Sequence, residues 1–142
     1  MEWKEQNGHG LVDLKFRCNN GKRYLMTLNS NGNWNRALDC KNGFDQTTAL
    51  QNGHGIINDE VSCVDRPDFM PSNGNTRGHP DRTQSCPNGA KIIGFETQEQ
   101  KKGIHNYGII NYRFMCSDLQ GKGTSLGKYT SSDIANTPKK KG

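Results

Sequence analysis

The chain has 142 residues, enough for one domain with a modest core. Only 30% are hydrophobic and 17 are glycine, and the mean hydropathy is −0.95, a balance that favours turns over helices. The net charge is +5, of which Lys139, Lys140 and Lys141 supply three; the remaining +2 (5 − 3) includes no basic, aromatic-interleaved run of the kind nucleic-acid binding uses.

So polar a composition would suit a disordered chain. Against that, the apolar residues fall at regular two-residue intervals and the cysteines recur in phase. No apolar stretch approaches the ~18 residues of a membrane span. Met1 to Lys15 is polar and does not read as a secretory leader. Two settings follow, a mature secreted form or a cytoplasmic protein, and the cysteines arbitrate between them.

Three stretches share one pattern. The first is Gly10-Leu11-Val12-Asp13-Leu14-Lys15-Phe16-Arg17-Cys18. The others are Gly55-Ile56-Ile57-Asn58-Asp59-Glu60-Val61-Ser62-Cys63 and Gly108-Ile109-Ile110-Asn111-Tyr112-Arg113-Phe114-Met115-Cys116. Each runs glycine, two apolar residues, Asn or Asp, a variable pair, Phe or Val, one more residue and then cysteine. The closing cysteines are 45 (63 − 18) and 53 (116 − 63) residues apart, a period that signals internal repeats.

In chain order, Trp3 to Gln6 leads into the first copy. Leu11 to Cys18 alternates Val12, Leu14, Phe16 and Cys18 with Asp13, Lys15 and Arg17, which predicts a strand with one buried face. Asn20-Gly21 predicts a tight hairpin turn. Lys22 to Asn29 reads as the next strand, with Tyr24, Met26 and Leu28 on one face. Asn-Gly occurs seven times, about every ten residues, and suits the positive φ of turns between twisted strands. Cys40-Lys41-Asn42-Gly43 and Cys86-Pro87-Asn88-Gly89 each open a unit that a later strand closes on cysteine. Val64 to Ser85, with Pro67, Pro71 and Pro80, reads as a long loop holding one short edge strand. Leu126 to Ile134 is a further candidate strand. The expected organisation is a single all-β repeat domain over residues 1–136 with a basic, disordered tail over 137–142.

None of the five cysteines lies within four residues of another, so no CxxC metal or redox motif exists. In-phase pairing joins Cys40 to Cys63 and Cys86 to Cys116, the framework of an oxidising compartment. The alternative is five reduced cysteines in a cytosolic protein. Cys18 closes a unit with no opening cysteine and is left unpaired, or bridges to another molecule.

Gly32-Asn33-Trp34 followed six positions later by Cys40, the Cys-X-Asn-Gly openings, Gly94-Phe95 and the closing Asn111-Tyr112-Arg113-Phe114-Met115-Cys116 resemble the vitelline membrane outer layer proteins. The resemblance covers Gly8 to Cys116. It implies a β-prism of three Greek-key-like sheets about a pseudo-threefold axis, in a disulfide-stapled secreted protein of an extracellular coat. It also implies glycan binding or an oligosaccharide-transferring activity. A second resemblance, to dermatopontin-like matrix proteins and agglutinins, rests on the Cys…Gly…strand…Phe-X-Cys loop. Their Asp-Arg-X-Trp is Gly-Ile-Ile-Asn in this chain.

The candidate contacts for a sugar are Trp3 and Trp34, through their ring faces, and Asn58 and Asn111, through their amides; the competing reading of the two tryptophans is as partly buried core residues. For the two asparagines, with Asp13, the competing reading is structural: a short polar side chain that caps a bend in each copy. His9, His54 and His105 recur at similar positions and are weighed as metal ligands, but equivalent sites on three sheets lie too far apart, so no metal or cofactor is expected. Asp59, Glu60, Glu96, Glu99 and Asp118 supply carboxylates for glycosidase chemistry without a spacing that picks out a pair, and no catalytic residue is assigned. The expected partners are glycans or other coat proteins, with an intermolecular contact through Cys18. An enzyme acting on amino-sugar oligosaccharides is the alternative.

Overall fold

A computed structural model describes residues 1–6, 10–52, 55–87, 89–102, 105–118 and 123–126. Among them there is no helix, and hence none long and apolar enough to cross a membrane. Eleven strands are present: β1 (Glu2–Gln6), β2 (Gly10–Arg17), β3 (Arg23–Leu25), β4 (Asn33–Trp34), β5 (Phe44–Gln51), β6 (Ile56–Cys63), β7 (Phe69–Pro71), β8 (His79–Ser85), β9 (Ile92–Lys102), β10 (His105–Ser117) and β11 (Gly123–Leu126). They form three separate antiparallel sheets, none closed on itself or joined to another by strand pairing among the described residues.

The first sheet has the order β3-β2-β1-β4 and the second β7-β6-β5-β8. Each is a hairpin whose third strand lies beside the second and whose fourth returns beside the first, the Greek-key order. The third sheet, β11-β10-β9, has the same hairpin and third strand. The closing strands β2, β6 and β10 carry the recurring stretch, and all three bend in the same place. Opposite β1, Val12 has no partner, because Lys4 pairs with Asp13 and Glu5 with Leu11. Ile57 and Ile110 are skipped in the same way opposite β5 and β9. Each is a β-bulge, one extra residue that kinks the strand and strengthens its twist.

The residue after each bulge fixes it. The Oδ1 atoms of Asp13, Asn58 and Asn111 accept the next residue's N–H at 2.8, 2.8 and 3.0 Å. In the first two sheets the same atom also accepts from the loop after the third strand: Thr27 N–H donates to Asp13 at 2.8 Å and Asn73 N–H to Asn58 at 3.2 Å. A buried polar side chain is tolerated here because its bonds are made.

One core is shared by all three sheets. Trp3, Leu14 and Phe16 meet Phe44, Ala49, Ile56 and Val61 from the second sheet and Ile92, Ile109, Tyr112 and Phe114 from the third. The closing strands approach one another cyclically at three glycines. A Cβ on Gly10 would lie 2.5 Å from Ile56 O, on Gly55 3.1 Å from Ile109 O, and on Gly108 2.6 Å from Leu11 O. Gly108 also has φ +109°, a conformation that costs other residues roughly 1–2 kcal/mol. Gly108→Ala therefore meets both strain and a backbone clash, whereas Gly21→Ala, at φ +88° with nothing within 4 Å, meets strain alone. Thermal melts should show Gly108→Ala much the more damaging. Equal shifts in melting temperature would contradict this packing.

Disulfides join Cys40 to Cys63 and Cys86 to Cys116, the two in-phase pairs, and Cys18 is free. Three sequence expectations are corrected. Val64 to Ser85 holds two strands rather than one: β7, and the seven-residue β8 paired with β5. The latter escapes notice because His79-Pro80-Asp81-Arg82-Thr83-Gln84-Ser85 contains no apolar residue, and an edge strand accommodates Pro80. The strand expected over Lys22 to Asn29 shortens to β3, whose Tyr24 is exposed, as is Leu28 beyond it. Leu28 takes φ 57° and ends the extended run. Nor is only one face of Leu11 to Cys18 buried, since the bulge turns Asp13 inward to 1% exposure. Residues 127–142, which include most of the candidate strand from Leu126 and all of the tail, lie outside the described residues.

Candidate functional site

Of the four candidate sugar contacts, three face inward. Trp3 is 0% exposed at the centre of the core, so its ring has no face for a ligand. Asn58 and Asn111 are buried at the bulges. Asn58 Oδ1 accepts from its own strand and the β7 loop, and its Nδ2 donates to Asn73 O and Asn75 O at 3.1 and 2.9 Å. The structural reading of these asparagines is the one the geometry fits. Trp34 alone is at the surface, half-buried on the edge strand β4.

Two ammonium groups stand over the Trp34 ring: Lys15 Nζ at 4.3 Å from its centroid and Lys4 Nζ at 5.4 Å. Both belong to neighbouring strands on the outer face of the first sheet, and cation–π attraction holds them there. Lys4 Nζ also donates to Asn29 O at 2.6 Å, and Lys15 lies 3.9 Å from Glu2. Next in the chain, Asn35 and Arg36 line an open groove of about 360 Å³ with Pro71, Ser72, Asn73 and Gly74 of the second sheet. Arg36 donates to Pro71 O at 3.1 and 2.8 Å, and Asn73 Nδ2 reaches Asn35 Oδ1 at 3.3 Å. Amide and guanidinium groups line the groove, a set suited to hydroxyl-rich ligands. Sequence reading missed Asn35, Arg36 and Asn73, which fall in loops without periodicity and meet only because β4 and β7 end near each other.

The core holds a second polar constellation. Tyr112 Oη donates to Asp59 Oδ1 at 2.5 Å, and the Tyr112 ring lies 5.6 Å from that of Trp3. Asp59 and Tyr112 stand at the positions that Leu14 fills in the first copy, four residues after the glycine. Burial pushes the Asp59 carboxyl well above the usual carboxylate range; hydrogen bonding from Tyr112 and Trp3 works against it, and Glu60 adds to it. Asp59 Oδ2 and Trp3 Nε1 have no partner at good hydrogen-bonding geometry, although the indole N–H is near enough to favour the carboxylate. Burial and the Asp59 charge together raise the Tyr112 phenol well above its ordinary value. The pair is a buried, core-filling contact.

No family model, curated protein or solved structure matches the chain. Its function has to be argued from its own residues.

Two of the five candidate acids are committed to partners within the fold. Asp59 serves Tyr112, and Glu96 pairs with Arg113 at 2.7 Å. No cluster of three metal-ligating side chains occurs among the described residues. His9 and His54 lie outside the described residues, and of His105 only the backbone is described.

Proposed function

We propose that this chain is a secreted, non-catalytic component of an extracellular coat or matrix, and that it binds glycans through the face of Trp34 and the adjoining groove of Asn35, Arg36 and Asn73. The observation that carries the extracellular reading is the pair of disulfides at the same place in successive units, Cys40–Cys63 and Cys86–Cys116. Such staples persist in oxidising compartments and suit a chain too polar to depend on its core alone. The three sheets are read as the sides of a β-prism. The Greek-key strand order, the bulge shared by β2, β6 and β10, and the cyclic approach of Gly10, Gly55 and Gly108 support that arrangement. It is also the fold that the vitelline membrane outer layer resemblance implies.

A glycan array with the intact protein and with Trp34→Ala and Arg36→Ala tests the ligand. Binding that falls in both variants, with unchanged melting temperature, supports the groove. A blank array with retained adhesion to matrix proteins would favour the dermatopontin-like alternative. Turnover of chitin oligosaccharides that is lost on changing a single acid would overturn the non-catalytic reading.

A further inference from the structure

The large apolar side chains that stand exposed among the described residues are Tyr24 at 49%, Leu25 at 43%, Leu28 at 75% and Phe69 at 37%. Apolar residues scattered singly over a surface need no explanation, but these are not scattered. Tyr24, Leu25 and Leu28 lie on or just beyond β3, and Phe69 lies on β7. The two strands hold the same place, outermost beside the closing strand, in the first and second sheets.

Both edges have main-chain groups to offer. Met26 N–H donates to Leu14 O and Ser72 N–H to Asp59 O, so in both segments the even-numbered residues bond to the closing strand. By the alternation of an antiparallel ladder, the N–H and C=O of Arg23, Leu25 and Phe69 point away from it, towards the open edge. Pro71 has no N–H, and Arg36 occupies its carbonyl.

The charges beside the two edges are opposite in sign. Lys22 and Arg23 are exposed at the start of β3, and neither is paired with a carboxylate among the described residues. Asp65 and Asp68 are exposed just before β7. Asp65 Oδ2 accepts from Asn42, which carries no charge, and Asp68 stands 4.0 Å from Arg66, a separation at which an exposed pair holds weakly. That leaves the approach to β7 net negative. Two β3 edges brought together would crowd Lys22 and Arg23 of both copies into one interface, and two β7 edges would crowd Asp65 and Asp68. Only β3 against β7 joins unlike charges, so the same groups that favour this pairing disfavour the other two.

We infer that the β3 edge of one copy docks on the β7 edge of a second, with Tyr24 and Leu25 against Phe69 and with Lys22 and Arg23 against Asp65 and Asp68. The chain carries both halves of the contact, so the occupant of either edge is another copy of itself. Main-chain pairing between strand edges adds to the apolar contact. Because the two edges are different surfaces, the contact is heterologous: each added copy leaves an edge open, and growth runs head to tail unless the rotation closes a ring. Open-ended growth suits a coat component. The inference rests on the two edges and not on the glycan reading, and either can fail alone.

The test is sedimentation of the whole chain at rising concentration, up to about 1 mM. Every sample carries Cys18→Ser, so that no intermolecular disulfide contributes. The protein should pass from monomer through dimer to longer species, and added salt should weaken the growth. Leu25→Ser and Phe69→Ser alter exposed side chains and should leave the melting temperature unchanged. Each should weaken association at least about tenfold, the factor that 1.4 kcal/mol of contact gives. Mixed in equal amounts they should form dimers and stop there, because β7 of the Leu25→Ser protein and β3 of the Phe69→Ser protein are the one intact pair of edges. If either serine lowers the melting temperature, Arg23→Gln and Asp68→Asn take their places in the same design. A chain that stays monomeric throughout overturns the inference. So does a Phe69→Ser protein that associates as well as its parent, the result of β3 pairing with itself, and so does a mixture that associates no better than its parts.

Discussion

Replacing Asp59 by asparagine should remove a pH dependence from the stability of the fold. Burial raises the folded-state value of Asp59 well above the 3.8 of an unperturbed carboxyl. Between the unfolded and folded values the native state therefore holds a proton that the unfolded chain has lost. The sign follows from linkage: stability falls as pH rises through that window. The Asp59 contribution is complete below the unfolded value and is lost as pH passes through the folded one. The substituted amide titrates nowhere, yet its oxygen can still accept from Tyr112. Asp59→Asn should gain on the native protein by about 1.4 kcal/mol for each pH unit across the window. Denaturant melts from pH 4 upward measure the difference, and two parallel stability curves would contradict a buried, proton-holding carboxyl. Tyr112→Phe has the opposite effect. It leaves a fully buried carboxyl without its donor, a loss of roughly 1–3 kcal/mol that grows as the group ionises.

Removing either disulfide should cost more than any surface change. Cys86→Ala with Cys116→Ala opens a loop spanning 30 positions, and Cys40→Ala with Cys63→Ala one of 23. Chain entropy puts each at ~3–4 kcal/mol, against a total of about 5–15 kcal/mol for an ordinary domain. The two losses should be similar in denaturant melts, because the bridges occupy the same place in their units. The double-bridge variant should be unfolded or nearly so at 37 °C. A loss below about 1 kcal/mol for either pair would show that the core and the bulge hydrogen bonds suffice without staples.

The all-β class and the cysteine pairing were legible because both rest on spacing. Alternation marks β2, β6 and β10, and their cysteines mark the ends of units. The bulges were half legible: Asp13, Asn58 and Asn111 stand out in the alignment of the three copies, and the bend was the structural reading of them. What the alignment hid is that two apolar residues in a row, Leu11-Val12 or Ile56-Ile57, require a bulge for both to be buried, which also turns the following polar residue inward. Trp3 stayed between a sugar contact and a core residue because an indole by itself carries no sign of whether its face is covered; register does that, setting Trp3 opposite Leu14 in the core. The groove was illegible. Asn35, Arg36 and Asn73 come from two sheets, and only the return of β4 and the turn after β7 bring them together. Asp59 and Tyr112 show a further limit, since each is unremarkable in its own copy and their contact spans 53 residues.

The most direct test of the central claim, a chain of three like units with staples in two, is the thiol count of protein isolated from its native source. Alkylation under denaturing, non-reducing conditions followed by peptide mapping should leave Cys40 bonded to Cys63 and Cys86 to Cys116. Cys18 should be alkylated. Five alkylated cysteines would contradict the account.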